Sequence, residues 1–365
     1  MYKTRQKQLL QYVQQELQTD AVIMMVPKNI YYFTGFAADP HERFFALYVD
    51  AKNRKTILFL PSLDETAAIG VAQVDEIVPV SDMEDPYKLF AQKTHSNVTT
   101  FAIEKGYMTV EQMELFQRQL NDFMYTDIEA CIKNMRARKS MHEVDKVKQA
   151  IQIAEKALQH TWGQIQTGMT ELDIKAELEY QMTVLGADAI AFETIVLTGS
   201  RSALPHGSAS NTEVQHGDFL LFDFGVTKDG YHSDLTRTCM IGEGTKEQEK
   251  IYHTVLKANQ LAIESVKVGD MLQTIDQSAR TYIEEQGYGQ FFTHRIGHGL
   301  GLDVHEYPSI HLNNEEKITE GLLFTVEPGI YVPDIGGVRI EDDIYIDENG
   351  QVNVLSSFTK ELTYV

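Results

Sequence analysis

Residues 220–225 have the sequence Leu-Leu-Phe-Asp-Phe-Gly, which sets a single carboxylate, Asp223, inside an apolar run. A charged side chain in such a run is costly to bury unless it is paired or bound to a metal ion. Four later stretches of the chain also hold one possible ligand each beside apolar or small residues. These candidate ligands are Asp234, His298, Glu327 and Glu341. Four carboxylates share a small space only when divalent cations neutralise them, so the set predicts a dinuclear metal site.

Asp223 and Asp234 are predicted to lie on neighbouring strands. Asp223 ends an apolar run that begins at Phe219, and Asp234 follows a Lys-Asp-Gly turn at 228–230. Two side chains placed in this way on paired strands can point to the same ion. An isolated aspartate at either position would more often be a strand-end or cap residue, so the prediction depends on the pair.

Glycines surround His298, because residues 297–301 have the sequence Gly-His-Gly-Leu-Gly. Glycine lets another stretch of backbone approach closely. A helical zinc site through His294, His298 and His305 is disfavoured, since the His-Glu-x-x-His pattern is absent here and glycine disfavours a helix. For a histidine taken alone, the alternative is a hydrogen-bonded core residue.

Glu327 and Glu341 stand beside residues that predict their direction. Glu327 precedes Pro328 and a glycine, which indicates a chain reversal. Glu341 comes two residues after Arg339, and the alternation of a strand would put both side chains on one face. A salt-bridged surface strand is the alternative for this last pair.

The ligand types indicate both the metal and the reaction. Four carboxylates and one imidazole suit Mn²⁺, Co²⁺ or Fe²⁺ better than a structural zinc held by thiolates. Two such ions close together commonly activate a bridging water and polarise a carbonyl or phosphoryl group, which predicts hydrolysis. Nearby groups that could stabilise an oxyanion or bind a substrate carboxylate are His206, His294, His305 and Arg339.

Composition excludes several classes of protein. The chain has 365 residues and a formal net charge of −21, which argues against binding to nucleic acid or to an anionic membrane surface. It has no run of roughly 20 apolar residues and begins with a polar stretch, so we expect a cytoplasmic protein that does not contact membranes. Its two cysteines, Cys131 and Cys239, lack zinc-type spacing and are predicted to be buried thiols.

Two domains are predicted, at residues 1–130 and 131–365. The first alternates helix and strand patterns, which indicates an α/β domain, and Pro79 restricts one of its strands to a sheet edge. Ser140 and Glu143 form a capping box before a long amphipathic helix of the second domain. There the order helix, helix, strands occurs twice, which suggests two related halves with a cleft between them.

Residues 135–360, approximately, resemble the pita-bread metallopeptidases. The similarity lies in the five ligand stretches and in two further motifs, Thr-Gly-Ser-Arg-Ser-Ala-Leu-Pro-His-Gly at 198–207 and Gly-Gly-Val-Arg-Ile-Glu-Asp at 336–342. Both motifs are most similar to those of proline dipeptidases (prolidases) and aminopeptidase P. The resemblance implies an α+β protein: a C-terminal pita-bread fold with pseudo-twofold halves, preceded by a smaller α/β domain of the creatinase N-terminal type.

The resemblance also implies a scheme of metal ligands. Asp223 would chelate one ion, while His298 and Glu327 would hold the other. Asp234 and Glu341 would bridge the two ions. A bridging hydroxide would then attack the carbonyl before proline, with Glu327 as the proton acceptor.

Further site residues receive their roles from the same resemblance. His305 would stabilise the gem-diolate, and His294 would line the site. His206 and Arg339 would hold the proline side of the substrate or its carboxylate. The implied partners are a small Xaa-Pro peptide and a second copy of the chain, in a homodimer whose N-terminal domain helps to close the partner's cleft.

The resulting expectation is an Xaa-Pro dipeptidase with two divalent ions, of which Mn²⁺ is the first expectation on the ligand set above. Aminopeptidase P, which removes the first residue from longer peptides with proline second, is the nearest alternative. Methionine aminopeptidases usually lack such an N-terminal domain, and a metal-free creatinase-like hydrolase would not need five ligands. A non-catalytic pita-bread binding protein is the alternative of a different class, but such proteins typically lose ligands.

Overall fold

The computed structural model describes residues 1–94, 97–120 and 123–365. It divides into two compact units, Met1–Met135 and Arg136–Val365. Within the described residues, no helix combines the length and the apolar character that a membrane crossing requires. Cys131 and Cys239 are free and buried, as predicted.

Helices and strands alternate through the first unit. In chain order they are α1 (Tyr2–Tyr12), β1 (Ala21–Met24), α2 (Pro27–Thr34), β2 (Ala46–Asp50), β3 (Lys55–Pro61), α3 (Glu65–Ala68), β4 (Glu76–Val80), α4 (Pro86–Lys93), β5 (Thr100–Ile103), α5 (Val110–Leu120), β6 (Met124–Asp127) and α6 (Glu129–Ala137), which crosses the division. The strands form one mixed sheet in the order β4-β3-β2-β1-β5-β6. Pro79 lies in β4 at the sheet edge, so the prediction of an edge strand is confirmed.

Aromatic side chains form much of the core of this unit. Phe90 on α4 lies 4.9 Å from Phe59 on β3 and 5.1 Å from Phe116 on α5, between ring centroids. All three rings are fully buried. Contacts of this kind join the helices to the sheet and add to the free energy gained from burial alone.

A single buried carboxylate fixes the start of α2. Glu104 follows β5 and is only 1% exposed. It accepts hydrogen bonds from the backbone N–H groups of Met25 (2.6 Å) and Val26 (2.8 Å) and from Nδ2 of Asn29 (2.6 Å). The carboxylate therefore fixes the two residues that lead into α2 and, through Asn29, the first turn of the helix.

The second unit contains the remaining elements. They are α7 (Met141–Trp162), α8 (Glu171–Val184), β7 (Ala189–Ile190), β8 (Ile195–Thr198), β9 (Phe219–Phe224), β10 (Val226–Lys228), β11 (Tyr231–His232), β12 (Leu235–Met240), α9 (Lys246–Glu264), α10 (Gln273–Glu285), β13 (Gly297–Gly299), β14 (Glu306–Ile310), β15 (Leu323–Val326), β16 (Gly329–Val332), β17 (Gly336–Arg339), β18 (Asp342–Ile346) and β19 (Val352–Val354). Their sheets have the orders β12-β9-β8, β11-β10-β7, β14-β13-β15-β18-β19 and β16-β17.

The predicted repeat of two helices followed by strands is present in this unit. Helices α7 and α8 precede the strands β7 to β12, and helices α9 and α10 precede β13 to β19. The capping box of Ser140 and Glu143 begins α7, as the sequence predicts. In the second half, Val255 on α9 and Phe324 on β15 are fully buried in one apolar cluster, which packs the helix against the strands that carry several of the candidate ligands.

The turn at 228–230 does not join the strands that were expected. Strands β9 and β12 pair antiparallel with Asp223 opposite Thr236, so the predicted neighbourhood of Asp223 and Asp234 is confirmed. The turn, however, joins β10 to β11, a short hairpin inserted between the two longer strands. Backbone at Gly225 passes so close to Ser233 that a Cβ there would overlap its carbonyl oxygen. This close approach holds the two ends of the inserted hairpin together, so that β12 can pair with β9.

Replacing Glu104 by alanine should destabilise the first unit. The change leaves the buried N–H of Met25 and the partly buried N–H of Val26 without this acceptor. A buried N–H without an acceptor costs roughly 1–3 kcal/mol, so we expect the free energy of unfolding to fall by about 2 kcal/mol. Urea denaturation of the full chain would measure it. Glu114→Ala is the control, since this residue is exposed and its pair with Arg118 contributes only about 0.3–0.5 kcal/mol. Equal stability of the two variants would contradict the role of Glu104.

Candidate metal centre

The five predicted ligands come together from five separate segments of the second unit. Asp223 lies in β9, and Asp234 directly precedes β12. His298 is the central residue of β13. Glu327 follows β15, and Glu341 lies between β17 and β18. Strand ends and the tight connections between strands thus bring these side chains to one place.

Their possible ligand atoms form overlapping groups in which all atoms lie within 4.8 Å of one another. One group contains Asp223, Asp234 and Glu341. A second contains His298, Glu327 and Glu341. Glu341 belongs to both groups, and a carboxylate has two oxygens that can bind different ions. The arrangement therefore fits two cations that share a bridging ligand.

The carboxylates of the centre are difficult to ionise together. Burial, followed by the charges of neighbouring groups, raises the pKa of Asp234, of Glu327 and of Glu341, the last to about 8. Divalent cations would remove this cost, since positive charge nearby favours the ionised carboxylate. A set of carboxylate oxygens with one imidazole nitrogen fits ions such as Mn²⁺, Co²⁺ or Fe²⁺.

The imidazole of His298 gives the most specific indication of a cation. Its Nδ1 lies 3.1 Å from the carbonyl oxygen of Gly299, a group that can only accept, so Nδ1 carries the proton. Burial, together with the nearby His305, lowers the pKa of His298 to about 3, and the ring is neutral. Its Nε2 lone pair then faces carboxylate oxygens of Asp234 at 3.6 Å and Glu327 at 3.4 Å. Three electron-rich atoms in this position repel one another when the carboxylates are ionised, and a cation between them would remove that repulsion.

Glycines on both sides of His298 allow its strand to pack closely between two others. A Cβ at Gly297 would overlap the carbonyl oxygen of Thr325 on β15. A Cβ at Gly299 would overlap the carbonyl oxygen of Tyr307 on β14. The close backbone approach that the sequence suggests is thus present on both flanks of this ligand.

His305 lies at the exposed side of the centre. Its ring centroid is 4.1 Å from that of His298, and it forms a third group of possible ligands with Asp234 and His298. The next residue, Glu306, is held by Arg136 Nη2 at 2.5 Å and by Lys139 Nζ at 2.6 Å. These contacts lower the pKa of the Glu306 carboxyl despite its burial and fix the segment that carries His305.

Arg339 is buried and donates hydrogen bonds to protein groups with all three of its nitrogens. Nη2 lies 2.5 Å from Asp223 Oδ2, Nη1 lies 2.7 Å from the Tyr331 hydroxyl, and Nε lies 3.1 Å from Thr236 Oγ1. The Thr236 hydroxyl in turn donates to Glu341 Oε2 at 2.6 Å. Arg339 therefore orients two of the candidate ligands, one directly and one through a threonine.

His294 and His206 lie on the remaining sides of this network. His294 Nδ1 is 2.8 Å from the carbonyl oxygen of Arg295 and Nε2 is 2.9 Å from the Tyr331 hydroxyl. Burial, then the charge of Arg339, lowers the pKa of His294 to about 4, so the neutral ring accepts a hydrogen bond from Tyr331. His206 is exposed, and it lies near enough to His294 and to His305 to lower the pKa of both.

A buried carboxylate anchors the loop that carries His206. Glu171, at the start of α8, is fully buried. It accepts hydrogen bonds from Nε of Arg201 at 3.0 Å and from the backbone N–H of Ser210 at 2.8 Å. The two contacts tie both ends of the segment around His206 to a rigid helix.

Two residues of the network, Thr236 and Tyr331, were not predicted from the sequence. Thr236 follows Asp234 by two positions, and strand alternation could have indicated that both side chains lie on one face. Tyr331 carries no comparable signal, because its contacts with His294 and Arg339 arise only when β16 pairs with β17.

Comparison with known proteins covers both units. Residues 5–138 match the creatinase/prolidase N-terminal domain, and residues 145–348 match metallopeptidase family M24. An uncharacterized peptidase of Staphylococcus aureus is 37% identical over 343 residues, which are 94% of this chain and 96% of that protein.

Solved structures agree over nearly the whole length. An X-Pro aminopeptidase from Thermotoga maritima has a TM-score of 0.90 and 34% identity, covering 99% of this chain and 100% of its own. An Xaa-Pro dipeptidase from Bacillus anthracis has a TM-score of 0.93 and 30% identity, covering 100% of both chains. The predicted fold, a pita-bread domain preceded by a creatinase-type N-terminal domain, is confirmed. The chain belongs to metallopeptidase family M24 and is a metal-dependent peptidase.

Proposed function

We propose that this metallopeptidase hydrolyses the Xaa-Pro bond of dipeptides with two bound divalent ions, of which Mn²⁺ is the first expectation and Co²⁺ or Fe²⁺ the alternatives. The observation that carries the metal centre is the neutral His298 ring, whose Nε2 faces oxygens of Asp234 and Glu327. The substrate class is supported by the similarity to an X-Pro aminopeptidase and an Xaa-Pro dipeptidase.

The overlapping groups of ligand atoms support a specific assignment. Asp223 would bind one ion, and His298 with Glu327 would bind the other. Asp234 and Glu341 would contribute to both sites, since each shares groups with members of both sets. When bound, the two ions lower the pKa of a shared water and polarise the scissile carbonyl.

The side chains around the ions provide proton transfer and orientation. Glu327 lies beside His298, with Oε1 at 3.4 Å from Nε2, and its carboxylate would accept a proton from the attacking water. His305 lies at the exposed side, where its ring N–H can donate to the gem-diolate oxygen. His206, on the loop anchored by Glu171, would contact the proline end of the substrate. Neutral His294 lines the same side of the site and orients Tyr331.

Arg339 has a different role in this proposal from the one implied by resemblance alone. Its guanidinium is buried and donates to Asp223, Thr236 and Tyr331. These contacts favour Arg339 as the residue that holds a metal ligand in place, so that His206 is left as the main contact for the substrate carboxylate.

Selectivity for proline has a physical basis. The Xaa-Pro amide has no N–H, and its ring fixes one backbone angle, so a peptidase that grips the scissile N–H binds it poorly. A site that instead accommodates the ring turns this difference into selection. The nearest alternative is an X-Pro aminopeptidase, and the similarity to the Thermotoga maritima enzyme favours testing it directly. A non-catalytic binding role is disfavoured because all five ligand positions are occupied by suitable side chains.

Assembly, location and domain limits belong to the proposal as well. We infer a catalytic domain of residues 131–365 after an N-terminal domain of residues 1–130, a cytoplasmic location and a homodimer. The comparisons support a peptide substrate, because the matching family is a metallopeptidase family and the similar solved structures include peptidases.

The substrate assignment is tested by comparing Ala-Pro, Ala-Pro-Ala and Ala-Ala with the full chain loaded with Mn²⁺. We expect Ala-Pro to be cleaved with a kcat/KM at least about tenfold above that of the tripeptide, a difference of about 1.4 kcal/mol in transition-state binding. Ala-Ala should remain uncleaved. Chromatographic separation of the released amino acids gives the rates. Faster cleavage of the tripeptide would assign the aminopeptidase activity instead, and turnover of neither proline peptide would end the proposal.

Glu341→Ala should abolish turnover and lower the metal content. Loss of a bridging carboxylate weakens the binding of both ions, because each loses a ligand oxygen. Elemental analysis after equilibrium dialysis against Mn²⁺ would measure bound ions per chain. Glu348→Ala is the control, since this glutamate is exposed on the loop after β18. Full metal occupancy in the Glu341 variant would contradict the bridging role.

Arg339→Lys separates the two roles of the arginine. A lysine keeps the charge but cannot donate simultaneously to Asp223, Thr236 and Tyr331. If Arg339 holds the metal ligand, Mn²⁺ affinity and kcat for Ala-Pro should both fall, with a smaller change in KM. A rise in KM with unchanged kcat and metal affinity would instead assign Arg339 to the substrate carboxylate.

A further inference from the structure

An asparagine lies on the buried face of α9, in the middle of the helix, where this residue type lowers helix stability. Asn259 is fully buried, and its helix packs into the apolar cluster of the second half. Asparagine is among the less favourable residues within a helix, and a buried amide is costly unless all its polar atoms are bonded. The hydrogen bonds of this amide must therefore offset the cost of burying it among apolar neighbours.

The amide nitrogen of Asn259 contacts both glutamate-bearing connections of the metal centre. Nδ2 lies 3.1 Å from the carbonyl oxygen of Val326 and 3.3 Å from that of Ile340. Each carbonyl belongs to the residue directly before a candidate ligand, Glu327 in one case and Glu341 in the other. One side chain therefore fixes the two peptide planes from which these ligands extend.

Lys360 fixes the direction of this amide. Its Nζ lies 3.0 Å from Asn259 Oδ1 and 2.7 Å from Asp342 Oδ2. A lysine ammonium can only donate, so the atom facing it must be the amide oxygen, and both N–H groups are directed at the carbonyls. Asp342 directly follows Glu341, so Lys360 also holds the other side of the Glu341 position.

We propose that Asn259, oriented by Lys360, is a positioning residue that keeps Glu327 and Glu341 close enough to bind the same divalent ion. The inference rests on the metal centre of the proposed function. Glu327 and Glu341 repel each other when both are ionised, as metal binding requires, and the connections on which they lie are not themselves strands. Because Asn259 belongs to a long, packed helix, its two hydrogen bonds restrict the movement of both connections.

Asn259→Asp tests the proposal with little change in shape. The carboxylate keeps the contact with Lys360 but cannot donate to the two carbonyls. Isothermal titration of the metal-free full chain with MnCl₂ should give a dissociation constant for the ion at His298, Glu327 and Glu341 that is about 10- to 100-fold higher than in the unchanged chain. Turnover of Ala-Pro should recover when the Mn²⁺ concentration is raised, with an unchanged KM for the dipeptide.

Ile251→Ala is the matched control on the same helix. Ile251 is fully buried about two turns before Asn259, so its truncation weakens the packing of α9 without removing a bond to either connection. We expect a lower melting temperature and unchanged Mn²⁺ binding. An equal loss of Mn²⁺ affinity in this control would overturn the proposal, because the effect would then be one of general stability.

Lys360→Met provides a second route if the aspartate variant does not fold. The lysine side chain is partly exposed, and its removal leaves Asp342 paired with Arg237. A severalfold loss of Mn²⁺ affinity is expected, and affinity equal to that of the unchanged chain in every folded variant would refute the role of Asn259. If metal binding changes as expected but the unchanged chain cleaves no Xaa-Pro peptide, the positioning role stands and the proposed substrate fails.

Discussion

The rest of this structure depends on one constraint, the mutual repulsion between ionised carboxylates and an imidazole lone pair at the centre of the second unit. Asp234 and Glu341 are buried, Glu327 is partly buried, and the Nε2 lone pair of His298 faces Asp234 and Glu327. Such an arrangement is stable only with cations present or with strong support from the surrounding chain. The pairing of strands, the buried guanidinium of Arg339 and the hydrogen bonds to the connections all serve to hold these groups together.

The supporting contacts come from different elements of the fold. Arg339 reaches Asp223 across the boundary between β17 and β9, while Thr236 on β12 holds Glu341. Asn259 approaches from the helical side and contacts the connections on which two ligands lie. Ligands from both halves of the unit are thus fixed by neighbours from the other half, and the centre forms only when both halves are folded.

Much of this could be predicted from local sequence patterns. The apolar run around Asp223 predicts a buried strand, and its neighbours Phe222 and Phe224 are fully buried. A Ser-x-x-Glu pattern marks the start of α7. The edge position of β4 follows from one proline. Each of these predictions uses residues that are close in the chain, where geometry follows from the sequence itself.

Contacts between distant segments could not be predicted in the same way. Arg339 and Asp223 are 116 positions apart, and Asn259 and Lys360 are 101 positions apart. Nothing in the residue types near Asn259 points to the carbonyls that it binds. The inserted hairpin of β10 and β11 was missed for a related reason, since a Lys-Asp-Gly turn indicates a reversal without indicating which strands it joins.

The glycines beside His298 set a limit on how this centre could be redesigned. Neither Gly297 nor Gly299 has room for a methyl group, because carbonyl oxygens of the flanking strands occupy that space. Libraries intended to change metal preference can vary the carboxylates and their neighbours, but these two positions should stay constant. Even an alanine there would wedge the sheet apart and displace the imidazole before any new coordination chemistry could be selected.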